Sequence, residues 1–329
     1  MNLDPKQTHV IAEWKHKAPL ITCRYDPKGR FLFSCAEDYS IQRWDLATGK
    51  PTVWEAHDSW VRDFAFLNDG ETLVSAGSDD QFIFWSVTAE KPTPMKSVKA
   101  HAGWIRSIAV SPDGKQFATG GNDLLVKIWN SDGGLVRELA GHEKHVYSVR
   151  YHPSGEFLLS GDLGGQVHQW DVKSGKLVRT FDAKDLYSYN KGQQVDYGGV
   201  RDLAFSPDGK SLACCGLYKA TNPLGAVNEP LIVVFDWNTA KKTRSHIANG
   251  VRGVAWRVVY LSNGFLATGS GGSGGGYLVF WKPDSDKEFH KLKLKQTLRG
   301  MDISPDGLKL AAAHSDGYLR ISQMTAKPA

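Results

Sequence analysis

Two sets of side chains in this 329-residue sequence return at fixed spacing and could carry chemistry. In the first, His16, His57, His101 and His142 each stand 18 residues before a Ser or Thr (Ser34, Ser75, Thr119, Ser160) and 28 before a Trp (Trp44, Trp85, Trp129, Trp170). Asp38, Asp79 and Asp123 complete three of these sets, and Gly164 occupies the corresponding place in the fourth. Imidazole near carboxylate and hydroxyl can bind a metal or serve as the base of a nucleophile. A constant offset from a Trp in every copy favours a structural set over either.

The second set is cationic. HDSWVRDFAF (57–66) returns as HAGWIRSIAV (101–110), with His, Trp, a β-branched residue and Arg in the same places. The β-branched residue belongs to an apolar position nine before a turn glycine: Leu20, Val61, Ile105, Val146, Val200 and Leu298, with Val251 assigned to it by allowing for an insertion. Ile21, Arg62, Arg106, Tyr147, Arg201, Arg252 and Arg299 follow these positions, and Trp60, Trp104 and His145 precede three of them. Neighbours of a buried strand residue point to the opposite face. Guanidinium forks bind carboxylates and phosphates, and like charges gathered in one place repel each other until an anion arrives. The competing expectation is pairing inside the fold, for instance with Asp63 and Asp202. A third candidate, GSGGSGGG (269–276), lacks the Lys and Ser/Thr placement and the following helix of a phosphate cradle, so it reads as a flexible turn.

What must position these side chains is a repeat. The four Trp residues are separated by 41, 44 and 41 residues, and each lies 15 after a turn glycine, in DPKG (26–29), LNDG (67–70), SPDG (111–114) and HPSG (152–155). Such turns use Gly for a tight reversal and Pro, where present, to preset it. The turn recurs at 206–209, 261–264 and 304–307, followed by strands reaching Phe235, Trp281 and Ser322, which makes seven units. Between turns the chain alternates or runs short and β-branched, as in TLVSAG (72–77) and LLVKIW (124–129), with no helix-length period. The expected fold class is all-β. A unit of this size holds four short antiparallel strands, the size of a propeller blade, and radial closure protects sheet edges.

Trp44-Asp45, Trp170-Asp171, Gly141-His142 and the turn glycines make the chain resemble the WD-repeat β-propeller family over nearly its whole length, residues 1–329. The resemblance implies a seven-bladed propeller in one domain. It also implies that His, Asp, Ser or Thr and Trp of a unit form a hydrogen-bonded tetrad: His16–Ser34–Asp38–Trp44, His57–Ser75–Asp79–Trp85 and His101–Thr119–Asp123–Trp129. It further implies that the residues flanking the apolar position ring the top opening of the channel. The candidate contact residues are therefore Trp60, Arg62, Trp104, Arg106, His145, Tyr147, Arg201, Arg252 and Arg299, with Tyr187 and Tyr189 from an adjoining insertion.

The last unit ends after YLRISQ (318–323) without an outer strand, and THVIAEW (8–14) alternates as a strand should, so the N-terminal run is expected to complete the last blade. Two long segments, 182–199 and 217–230, are expected on the top face, where loops longer than a fold needs are often functional. Tyr187, Tyr189 and Tyr197 either pack the first of these down or face a ligand. A small insertion after Trp256 is expected on the bottom.

A hydrophobic content of 41% fits a globular core, and no window approaches a membrane-spanning apolar run. Without an evident export signal, the expected location is cytoplasmic. Cys23, Cys35, Cys214 and Cys215 lie in strand-like runs, two of them adjacent, and read as reduced thiols. A net charge of +5 permits an acidic partner without requiring nucleic acid. The expected function is a non-catalytic interaction scaffold, monomeric on its own and without cofactor or metal, that binds an acidic protein segment or peptide on the top face. Nucleic-acid binding through Arg and Trp is the alternative, and a propeller hydrolase or lactonase a more distant one.

Overall fold

The computed structural model describes residues 2–219 and 228–327. Among these, seven four-stranded antiparallel sheets follow one another in chain order. Blade 1 comprises Leu20–Tyr25, Phe31–Ala36, Ser40–Asp45 and Pro51–Glu55. The first strands of the seven blades (Leu20–Tyr25, Val61–Leu67, Ile105–Val110, Val146–Tyr151, Asp202–Phe205, Val254–Tyr260 and Leu298–Ile303) contact one another in a closed ring around a central channel. The chain is an all-β, seven-bladed propeller. Blade 7 is completed by His9–Lys15, which pairs antiparallel with Tyr318–Gln323, from His9 opposite Gln323 to Lys15 opposite Tyr318. Glu13 on this closing strand binds Arg320 (3.1 Å) and Lys295 (3.0 Å), and Trp14 stacks on Trp44 at 5.6 Å.

Core formation follows the strand alternation. Apolar residues of the inner three strands bury between adjacent blades, as with Phe82, Phe84, Ile105, Phe117 and Trp129. The four cysteines are free and buried in these layers, and desolvation raises their thiol pKa values. Basic side chains on the outer strands clasp the next blade: Lys96 reaches the carbonyl of Asp132, Arg137 those of Lys173 and Ser174, and Arg179 that of Asn238. No helix of the described residues is long and apolar enough to cross a membrane.

The tetrads form in blades 2 and 3 as expected. His57 bridges Asp79 (2.9 Å) and Ser75 (2.7 Å), whose hydroxyl accepts from Trp85 Nε1 at 2.8 Å. His101, Asp123, Thr119 and Trp129 repeat this at 2.7–2.9 Å. Two expectations need correction. In blade 1, His16 meets Asp38 (2.9 Å), but Ser34 is reached through Ser40 and Gln42: the Gln42 amide donates to Ser40 (2.6 Å) and accepts from Ser34 (2.7 Å), and Trp44 donates to Ser34. In blade 4, Gly164 is no deficiency, because Asp162, two residues earlier, takes the carboxylate's place on His142 at 2.8 Å. Among the described residues, blades 5 to 7 show no such set, and the buried Trp281 Nε1 and Ser322 Oγ have no hydrogen-bond partner.

Segment 182–199 is a folded element, with a hairpin of Tyr187–Asn190 and Val195–Gly198. The expectation for 217–230 lies in part outside the described residues; within them, strands continue to Tyr218 and resume at Glu229. The bottom insertion expected after Trp256 is absent: Ala255 stands nine before Gly264, as Ile105 stands nine before Gly114. The additional length precedes the strand, between Ile247 and Val254.

Candidate interaction site at the channel mouth

A bulge builds the mouth. Six of the innermost strands slip register at the same place, between Leu20/Thr22, Val61/Asp63, Ile105/Ser107, Val146/Ser148, Ala255/Arg257 and Leu298/Gly300. The residue left over at each slip is unpaired and re-aimed, here towards the channel. Those residues are Ile21, Arg62, Arg106, Tyr147, Trp256 and Arg299, joined by Arg201 where blade 5 enters its strand. Arg252 is not among them: it is exposed beside Gly274, outside the mouth, and Trp256 holds the blade 6 position.

The mouth is a cavity of about 400 Å³ lined by Trp60, Arg62, Arg106, Tyr147, Arg201, Trp256 and Arg299, with Glu37 at the rim and Asp63, Ser107 and Arg257 below. Its cations and rings alternate. The Arg62 guanidinium lies 4.9 Å from the Trp60 ring and 4.7 Å from Trp104; Arg106 lies 4.9 Å from Trp104 and 4.5 Å from Tyr147; Arg201 lies 4.5 Å from Tyr147 and 5.4 Å from Trp256. Trp60 and Trp104 remain 37% exposed. Arg62 Nε donates to Ser78 and Arg106 Nε to Asn122, both at 2.7 Å, which fixes the two forks.

Charge is compensated unevenly. Below the mouth, Asp63 is held by Arg24 (2.8 Å) and Arg257 (2.9 Å), and Asp202 by Arg150 (3.2 Å) and Arg257 (3.5 Å). Arg257 of blade 6 thus crosses the channel to carboxylates of blades 2 and 5. Burial would raise the Asp63 pKa, but the two arginines hold it below the usual carboxylate range. The expected pairing of Arg62 with Asp63, or Arg201 with Asp202, does not occur. Arg299 is neutralised by Glu37. Arg62, Arg106 and Arg201 form no ion pair among the described residues, and Arg201 Nε is buried without a partner. Burial lowers the pKa of all three, that of Arg62 to about 10 with help from Arg106. A guanidinium stays charged at neutral pH, so three positive charges face one cavity.

His145 is partly buried nearby, its pKa lowered by desolvation and by the charges of Arg106 and Lys144. The hairpin is tied down beside it: Tyr187 donates to Asp196 at 2.6 Å, and Lys144 bridges to the same carboxylate at 2.9 Å. Tyr197 packs with Leu217, Val254 and Trp256. Tyr189 is 49% exposed and does not line the cavity. The sequence reading overlooked Trp256, Arg257 and Glu37; counting nine back from Gly264 without an insertion would have found the first two.

The profile described as "WD domain, G-beta repeat" matches residues 8–45, 50–86, 92–130, 133–171 and 188–218, more than half of the chain. The chain belongs to the WD-repeat family. In this WD-repeat protein the blades beyond residue 218 lie outside the matched segments, yet the structure gives them the same four strands. Curated relatives include the nuclear distribution protein nudF of Aspergillus niger, 30% identical over 173 residues, covering 46% of this chain and 39% of the relative. Apoptotic protease-activating factor 1 of Rattus norvegicus is 30% identical over 204 residues, covering 62% of this chain and 16% of the relative. The WD-repeat chain therefore spans well under half the length of the relatives it matches.

Proposed function

We infer that this WD-repeat propeller is a non-catalytic interaction module whose top mouth binds an acidic segment of a partner protein. The observation that carries this reading is the group of three guanidiniums, Arg62, Arg106 and Arg201, that share one cavity without an ion-pair partner among the described residues. Their forks are held in place before any ligand arrives, by ring stacking on both sides and, for Arg62 and Arg106, by Nε hydrogen bonds, so little ordering entropy is lost on binding. Nucleic acid fits less well. Trp104 and Tyr147 each carry two guanidiniums, which occupy the ring surface that base stacking would use. A hydrolase reading is weakened because the channel carboxylates Asp63 and Asp202 are locked by arginines and the His/Asp/Ser sets are engaged with tryptophans.

The test is affinity capture from native lysate with the wild type beside Arg106→Glu/Arg201→Glu. Capture of a partner by the wild type, lost in the double variant at unchanged melting temperature, supports the reading. Undiminished capture by the double variant would move the search to the bottom loops and blade edges.

A further inference from the structure

The mouth is not a symmetric ring. On the side of blades 7 and 1 its lining is neutral: Arg299 is paired with Glu37, and Ile21 is apolar. Beneath it the channel arginines are all paired: Asp63 is shared by Arg24 and Arg257, and Asp202 by Arg150 and Arg257. Among the described residues that line the cavity, the guanidiniums without an ion pair are Arg62, Arg106 and Arg201, in the arc of blades 2 to 5. Within that arc the guanidiniums lie over Trp60, Trp104, Tyr147 and Trp256, and the Nε atoms are hydrogen-bonded or buried. The terminal nitrogens remain to meet a ligand.

Resting on the top-face reading above, we propose that the anionic group this arc takes is a phosphomonoester on the partner segment, seated off-centre against Arg62, Arg106 and Arg201 while the rest of the segment leaves over the neutral side by Ile21. Donors that reach one cavity from three different blades match a tetrahedral group with three acceptor oxygens better than a planar carboxylate, which has two. The charge argument points the same way. A phosphomonoester brings about −1.5 to −2 at neutral pH in one compact group, whereas carboxylates would have to bring two residues into about 400 Å³ to supply the same charge. The floor closes the cavity to anything longer, since Arg257 spans the channel between Asp63 and Asp202.

The experiment uses the full chain, immobilised, and three degenerate peptide libraries with a fixed central phosphoserine, glutamate or serine. The proposal expects the phosphoserine library to be retained at least about tenfold over glutamate, because the phosphomonoester carries about −1.5 to −2 charge and three acceptor oxygens against one charge and two oxygens. Arg106→Gln and Arg201→Gln should each bring that ratio close to one. Arg252→Gln, outside the mouth, should leave it unchanged. Inorganic phosphate, but not acetate, should displace retained peptide. Equal retention of glutamate and phosphoserine libraries, both lost in the arginine variants, overturns the phosphate proposal and leaves the acidic-segment reading standing. Retention of neither charged library above serine overturns both. A single-stranded oligonucleotide that competes as well as the phosphopeptide overturns the proposal in favour of phosphodiester binding.

Discussion

Replacing Arg257 by Met is expected to be among the most damaging single changes away from the hydrophobic layers. The guanidinium contacts Asp63 at 2.9 Å, Asp202 at 3.5 Å and the Thr22 hydroxyl at 3.3 Å, drawing blades 1, 2 and 5 onto blade 6. Both carboxylates are buried, and each would keep one arginine, Arg24 or Arg150. Breaking a buried ion pair on one side costs about 3–5 kcal/mol, because the desolvated charge stays behind. The retained partners place the expected loss near the lower end, about 3 kcal/mol. Urea unfolding followed by tryptophan fluorescence would measure it. The pH dependence has a definite sign. Asp63 has a folded pKa below its unfolded value, so its contribution is full above about pH 4 and disappears as pH falls through the folded value. The gap between variant and wild type should therefore narrow in acid. A loss under 1 kcal/mol at pH 7, or a gap that widens on acidification, would refute the idea that Arg257 is a charge-compensated strut.

His101→Ala should remove the imidazole that bridges Asp123 and Thr119 and cost about 1–3 kcal/mol in chemical unfolding, whereas His145→Ala, outside the tetrads, should cost little; equal losses would erase the distinction. Deleting residues 2–15 removes the closing strand and the Glu13 contact to buried Arg320, and should lower the melting temperature by ten degrees or more on the order of several kcal/mol lost. An unchanged melting temperature would mean that the propeller holds without this strand.

The repeat was readable because each blade solves the same local problem. A turn glycine, an inward apolar residue and a tetrad hydroxyl keep their spacing when strands keep their length, and so the seven blades and the closing strand follow from counting. Blade 6 shows where a local likeness misleads and plain counting does not. Val251-Arg252 imitates the Val61-Arg62 pair, but two glycine-rich strands, Leu266–Gly272 and Gly275–Trp281, pair in a register that places Ala255 and Trp256 at the mouth. Ion partners were illegible for another reason. Asp63 follows Arg62 in sequence, but the bulge sends the two side chains to different levels of the channel, and its partner Arg257 comes from across the ring. Asp162 in blade 4 shows that a tetrad needs a carboxylate at a point in space, which a turn can supply from a neighbouring position.

The closing strand also has a mechanical meaning. His9 lies opposite Gln323, and Lys15 opposite Tyr318, so the two chain ends leave the sheet from the same edge. A pull applied through residues flanking the pair would load one rung at a time, like a zipper, rather than shearing all rungs together. Every other blade would meet the same pull only after this seam had parted. Tension between the two ends is thus expected to open the ring at blade 7 first, at low force, leaving the arginine arc of blades 2 to 5 as the last part of the mouth to feel it.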